Sequence, residues 1–247
     1  MYFIVDVEQV NWFTFASMDG KEHTILITGL SGALGKVVGG RLLNEGHRLL
    51  AIVRNESSEN RTKADFPGME NRISFFRADL TTDTFEGLST EDLSGFVHLA
   101  GGFDAAPTFA EAPADQLEKQ FLLNTRSAFQ LLRLVLPALK KRGGGSIVTI
   151  SAKAALQPDG SNAAYAASKA ALLNLTLQAA REGRKENVRA NVIVPGVIDT
   201  PANRSWGSAD QIAKWTTPED IASCICWLMS DASAGVNGTV IPMYGQL

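Results

Sequence analysis

Thr28-Gly29-Leu30-Ser31-Gly32-Ala33-Leu34-Gly35 follows a short apolar run, Thr24 to Thr28, and leads into a segment of helical periodicity from about Leu34 to Asn44. A glycine-rich turn between a strand and a helix is the setting in which a dinucleotide pyrophosphate is held. Glycines let the backbone turn tightly and approach the phosphates, while the free amides and the positive end of the helix dipole attract their charge. Gly29, Ser31, Gly32, Leu34 and Gly35 are the first candidate cofactor-contacting residues. A strand-to-helix turn without a ligand is the plain alternative, and the rest of the chain decides between them.

From His23 onward, short apolar runs alternate with longer helix-compatible segments, the order of repeated βα units around a parallel sheet buried on both faces. The pattern predicts strands at Thr24 to Thr28, Arg48 to Val53, Ile73 to Phe76, Gly95 to Leu99, Ser146 to Ile150, Val188 to Ile193 and Thr239 to Pro242. Helices are predicted at Leu34 to Asn44, Ala114 to Lys141, Ala163 to Arg181 and Pro218 to Met229. Gly143-Gly144-Gly145 stops the long helix, and Thr217-Pro218-Glu219 opens the last one with a capping hydroxyl, a first-turn proline and early acidic charge. Thr200 to Thr217, rich in small and polar residues, reads as an excursion over the carboxyl edge of the sheet, where ligands bind in such folds. The expected fold is a single α/β, doubly wound, Rossmann-type domain over residues 23–247 with a seven-stranded parallel sheet.

Composition agrees with a compact domain: 247 residues, 45% hydrophobic and 20% charged. A net charge of -3, with no basic cluster longer than Lys140-Lys141-Arg142, provides no field for nucleic acid or anionic lipid, so neither is expected as a partner. Cys224 and Cys226, two apart on a predicted helix, point in different directions and do not bridge; with no second pair, no metal site is expected either. They read as apolar thiols in a reducing compartment, which makes the cytoplasm the expected location. Residues 1–22 read as an N-terminal extension without a membrane-spanning run or a secretory signal, and Met18 is a candidate start.

At the end of the second predicted strand, Val53 stands where a carboxylate would ordinarily hold the adenosine ribose diol, and Arg54 follows. A guanidinium at that edge favours a 2′-phosphate, so NADPH is expected over NADH, with NAD as the lesser option. Further on, Tyr165 and Lys169 lie four apart near the start of an alanine-rich helix and share one face. A neighbouring ammonium favours the phenolate, which would lower the Tyr165 pKa and prepare it for proton exchange with a substrate.

These residues, in this order, resemble the short-chain dehydrogenase/reductase family across nearly all of Thr24 to Leu247. The matching features are Thr28-Gly29 to Gly35, Asp79-Leu80 after the third strand, Leu99-Ala100-Gly101-Gly102 after the fourth, Asn124 in the long helix, Tyr165/Lys169, and Pro195-Gly196 through Thr200. The resemblance implies a nicotinamide-dependent oxidoreductase with a small-molecule substrate. By it, Asp79 and Leu80 flank the adenine, Ala100 and Gly101 lie along the cofactor with Pro195 and Gly196, Thr200 meets the nicotinamide amide, and Lys169 holds the nicotinamide ribose. Asn124 is implied to kink its helix and anchor a proton relay to Lys169, and the two long helices to form a homodimer or homotetramer interface.

The chain departs from the family pattern at three places. Ala33 takes the position of the middle glycine, His98-Leu99 that of a pair of asparagines, and Ala152, thirteen residues before Tyr165, that of the catalytic serine; Ser151 is one step early. On a strand, one step turns a side chain to the opposite face. Ser151 to Leu156, Ser31 to Gly35, Ala100 to Phe103 and Asp199 to Arg204 also resemble dihydropteridine reductase, a branch that lacks the serine and reduces a quinonoid pterin. The expected activity is hydride transfer from NADPH to a small carbonyl or quinonoid acceptor, with Tyr165 as proton donor. A 3-oxoacyl thioester reductase, or a nicotinamide-binding sensor or scaffold without turnover, are the alternatives.

Overall fold

The computed structural model describes residues 23–106 and 108–246; the N-terminal extension and the candidate start at Met18 lie outside the described residues. Seven strands, β1 (Thr24–Thr28), β2 (Arg48–Val53), β3 (Ile73–Arg77), β4 (Leu93–His98), β5 (Gly145–Ile150), β6 (Val188–Pro195) and β7 (Val240–Met243), form one parallel sheet in the order β3-β2-β1-β4-β5-β6-β7. The fold is therefore the expected doubly wound α/β sheet. Its order reverses between β1 and β4, which opens a crevice at their carboxyl ends.

Alternation along β1 divides the core. Ile25 and Ile27 face one layer, with Val38 and Leu42 of α1 (Ala33–Asn44) and Ile221 and Ile225 of α8 (Pro218–Met229). Leu26 faces the other, with Phe96 and with Leu131, Val135 and Leu139 of α4 (Ser127–Arg142). The stop and start signals act as read: Gly143 closes α4 in the left-handed region at φ 89°, and the Thr217 hydroxyl accepts the Asp220 amide ahead of Pro218.

Three elements differ from expectation. α2 (Glu56–Ala64) was not legible as a helix because it has no apolar periodicity; its signal is the Asn55 cap, whose side chain accepts from the Ser58 amide while the Ser58 hydroxyl accepts from the Asn55 amide. The long helix predicted over Ala114 to Lys141 is α3 (Gln116–Phe121), a π turn at Leu122–Arg126, and α4. The excursion after Thr200 carries two short helices, α6 (Pro201–Arg204) and α7 (Ala209–Ile212). α5 (Ala163–Glu182) lies as read. Among the described residues no helix is long and apolar enough to cross a membrane.

Candidate active site

The glycine turn is built to let another chain segment and a ligand come close. Gly29 has φ +75°, and a Cβ there would lie 2.8 Å from the Ala100 amide nitrogen; a Cβ on Gly35 would collide with the Gly29 carbonyl oxygen. Gly32 donates its amide to Gly29 O at 3.0 Å, and Ala33, in place of a glycine, is exposed and lines the cleft beside it. Thr28 Oγ1 accepts the Ala100 amide (3.2 Å) and pairs with His98 Nδ1 (2.9 Å), clasping β1 to β4 where the two asparagines were expected. Burial first, then nearby Lys169, pushes the His98 pKa down to about 3, so the ring is neutral. A cleft of about 430 Å³ runs past Gly29, Gly32, Leu34 and Gly35 to Leu99, Thr200 and Pro201. Thr200 caps α6 with its hydroxyl, and Gly196, following Pro195, donates its amide to Met243 O. A larger concavity, about 1420 Å³, lies at the opposite edge of the sheet by Gly143 and Asn187, away from this chemistry.

At the carboxyl end of β2 Arg54 is 71% exposed and its Nε lies 3.3 Å from Asp79 Oδ2. The Thr81 hydroxyl and amide, and then Arg54, hold the Asp79 carboxyl below the usual range. Leu80 packs against the core beside it.

α5 carries Tyr165 and Lys169 to the end of β5. Lys169 is buried and its Nζ donates to Ile150 O at 3.0 Å. A Cβ on Gly101 would stand 2.8 Å from Lys169 Nζ and 2.9 Å from Asn124 Oδ1, so the fold brings Gly101, Lys169 and Asn124 together. The electrostatics correct one expectation. Burial, not the ammonium, dominates at Tyr165, whose phenol is pushed up to about 12, while burial pulls Lys169 down to about 8. A phenol at that value stays protonated at neutrality and serves as a proton donor.

Asn124 occupies the π turn and is wholly buried; its Oδ1 accepts the Gly102 amide at 2.8 Å and its Nδ2 donates to Gly102 O, Gln120 Oε1 and Ser168 Oγ. Its side chain is thus a clamp on the segment after β4. Two more amides hold that segment: Gln116 donates to Asp104 O, and Asn162, in the left-handed region at φ 53°, exchanges two bonds with Ala106. Between the clamps, Phe103 is 60% exposed and stands edge-on to Tyr165, ring centroids 5.0 Å apart. Sequence reasoning did not select Phe103, Gln116 or Asn162 as site residues; the signal lies in their spatial convergence. Ala152 is buried with no hydroxyl to offer, and the Ser151 hydroxyl donates to Lys169 O instead.

The short chain dehydrogenase family model matches residues 23–211. The chain belongs to that family. A short chain dehydrogenase of Aspergillus calidoustus is 28% identical, with 90% of this chain and 96% of the relative covered. A 2,5-dichloro-2,5-cyclohexadiene-1,4-diol dehydrogenase of Sphingobium indicum is 30% identical, with 89% and 94% covered. A short chain dehydrogenase/reductase crystal structure from Burkholderia thailandensis matches with TM-score 0.82 and 26% identity, covering 91% of this chain and 92% of that one. The chain is an NAD(P)-dependent oxidoreductase. Its residues fit that cofactor: Gly29, Gly32 and Gly35 leave the turn before α1 without side chains at three positions along the cleft, which leads from there to Thr200.

Proposed function

We propose that this short-chain dehydrogenase uses NADPH to reduce a ring-bearing carbonyl or quinonoid acceptor. The observation that carries the reading is Phe103, an exposed ring perpendicular to the Tyr165 ring at 5.0 Å between centroids, on a segment whose flanking residues Gly102 and Asp104 are bonded by Asn124 and Gln116. An exposed aromatic held at a reacting group offers a face to a flat acceptor. The Sphingobium relative is named for a ring diol, which supports the same class. When bound, the reduced nicotinamide supplies the hydride. Tyr165 delivers the proton to the acceptor's oxygen or nitrogen, Lys169 sets the local charge and supplies donors for a ribose, and Asn124 keeps Gly101 and Gly102 in place. A quinonoid dihydropterin is one member of this class, and a 3-oxoacyl thioester the competing one. Following NADPH oxidation with a quinonoid dihydropterin, simple quinones, aryl ketones and a 3-oxoacyl thioester tests the reading; turnover of the thioester alone would overturn it.

Ala152 gives this reading a quantitative check. Neither nearby hydroxyl substitutes for the absent serine, since Ser151 bonds Lys169 O and Ser161 bonds Asp159 Oδ1. One preorganised donor to a developing oxyanion is worth about 2.7–4 kcal/mol. Ala152→Ser should therefore raise kcat/KM for aryl ketones about tenfold, less than the full value because the pocket was not shaped around it, and leave quinonoid reduction within about twofold. Steady-state kinetics on both classes in both proteins measures this, and equal gains would sink the distinction.

Arg54 supports NADPH over NADH. Its ion pair with Asp79 is largely exposed, and such pairs contribute about 0–1 kcal/mol, so the guanidinium is free to turn to a 2′-phosphate, where a charge-assisted bond is worth about 1.5–3 kcal/mol. Arg54→Ala should raise the Kd of NADPH by about tenfold without moving that of NADH. Fluorescence titration decides it; NADH binding as tightly as NADPH in the unaltered enzyme would refute the preference.

A further inference from the structure

Lys153 follows Ala152 directly and opens a short 3-10 turn, Lys153–Ala155, at the carboxyl edge of the sheet. Its Nζ stands 5.1 Å from the centre of the Tyr244 ring. That ring belongs to a fixed platform. The preceding carbonyl, Met243 O, accepts both the Gly196 amide (2.9 Å) and the Thr216 hydroxyl (2.7 Å), and the Gln246 amide bonds Lys214 O. Tyr244 lies directly against Gly196, where a Cβ would come within 3.4 Å of the Tyr244 Cα. The Lys153 side chain therefore reaches from the end of β5 to the segment that follows β7, beside Pro195 and Gly196 and within the half of the edge that carries Ala152.

A lysine has four methylene torsions and loses entropy when held, so a held ammonium calls for an account. A cation over an aromatic face is attracted to it, but the ring leaves the positive charge uncompensated. Among the described residues no carboxylate pairs with Lys153, and Asp199, the acidic residue on the adjoining segment, is taken by a two-pronged bond to Arg204. Among the described residues the Lys153 ammonium thus has an aromatic ring and no carboxylate beside it, one residue along the chain from the methyl that replaces the serine. A single ammonium matches a single carboxylate. A phosphate dianion is better served by several donors or a guanidinium fork, neither of which accompanies Lys153.

We propose that Lys153, seated on Tyr244, selects acceptors that carry a carboxylate away from the reacting carbonyl. The inference rests on the carbonyl reduction argued above and adds a charge requirement to it. The probes are 2-, 3- and 4-carboxybenzaldehyde and their methyl esters, which move the anion around the ring while keeping the reacting group. For at least one isomer, kcat/KM for the acid should exceed that for the ester by about tenfold, expressed in KM. Lys153→Gln should bring the acid-to-ester ratio close to one, Lys153→Arg should keep most of it, and Lys153→Glu should invert it. Titration calorimetry with benzoate gives a readout free of turnover, with binding about tenfold weaker in Lys153→Gln. Ratios near one for all three isomers in the unaltered enzyme, or a preference and benzoate affinity untouched by Lys153→Gln, would overturn the proposal. Reduction of the esters, and its loss in Tyr165→Phe, reports on carbonyl reduction alone. The two failures are therefore distinguishable.

Discussion

Tyr165→Phe should lower kcat by a factor of about 10²–10⁴, the range that a positioned general acid contributes, with KM for the acceptor nearly unchanged. The phenol sits at about 12 because it is buried, so it is protonated at every pH at which the enzyme would be assayed and no other side chain at the site duplicates it. The bonds that hold Gly102, Asp104 and Ala106 around Phe103 do not involve the phenol oxygen, so the altered enzyme should keep the aromatic contact and unfold within a few degrees of the original. Stopped-flow measurement of a single turnover at saturating cofactor isolates the chemical step. A single-turnover rate within threefold of the original would remove Tyr165 from the reaction.

Lys169→Met should also abolish most turnover, and it should stabilise the protein. Burial lowers the Lys169 pKa from 10.5 to about 8. The folded state therefore binds this proton less tightly than the unfolded state does. The penalty is fully present below about pH 8, and stability recovers as pH rises from about 8 towards 10.5, where the unfolded chain loses its proton as well. A methionine of similar length removes the penalty but loses the bond to Ile150 O, leaving a gain on the order of 1–3 kcal/mol at pH 7. That corresponds to a Tm higher by roughly 2–8 °C, readable by calorimetry, and the gain should shrink above pH 9. In the unaltered enzyme the same titration has a kinetic face: reductive kcat should fall as pH passes upward through about 8, because the positive charge that Lys169 brings to the site is then lost. A methionine variant less stable at pH 7 would show that Lys169 is held by its contacts without electrostatic cost.

What could be read from the residues alone was whatever depends on neighbours in sequence. The glycine turn, the Gly143 stop and the Thr217-Pro218 start are local devices, and each lies where the sequence places it. Tyr165 and Lys169 share a face for the same reason. What was not legible depends on partners far along the chain. The phenol pKa follows burial created by the whole fold, so pairing it with Lys169 alone predicted the wrong direction. The β4 loop is clamped from Gln116, Asn124 and Asn162, three amides with no shared motif. α2 escaped because its polar residues carry no period, although Asn55 and Ser58 form a capping box that could have revealed it.

The π turn at Leu122–Arg126 makes chain length itself part of the specification of the site. Such a turn holds one residue more than the α turn it replaces, which rotates everything upstream by about 100° relative to everything downstream. Upstream, Gln116 then bonds the loop after β4 and Gln120 accepts from Asn124, while downstream Leu131, Val135 and Leu139 point into the core. A regular helix could satisfy one set or the other. Losing a single residue anywhere in the turn would therefore set the core stripe and the loop clamps out of phase, even if every side chain named here were kept. Insertions and deletions, more than substitutions, are the changes to which this segment is least tolerant.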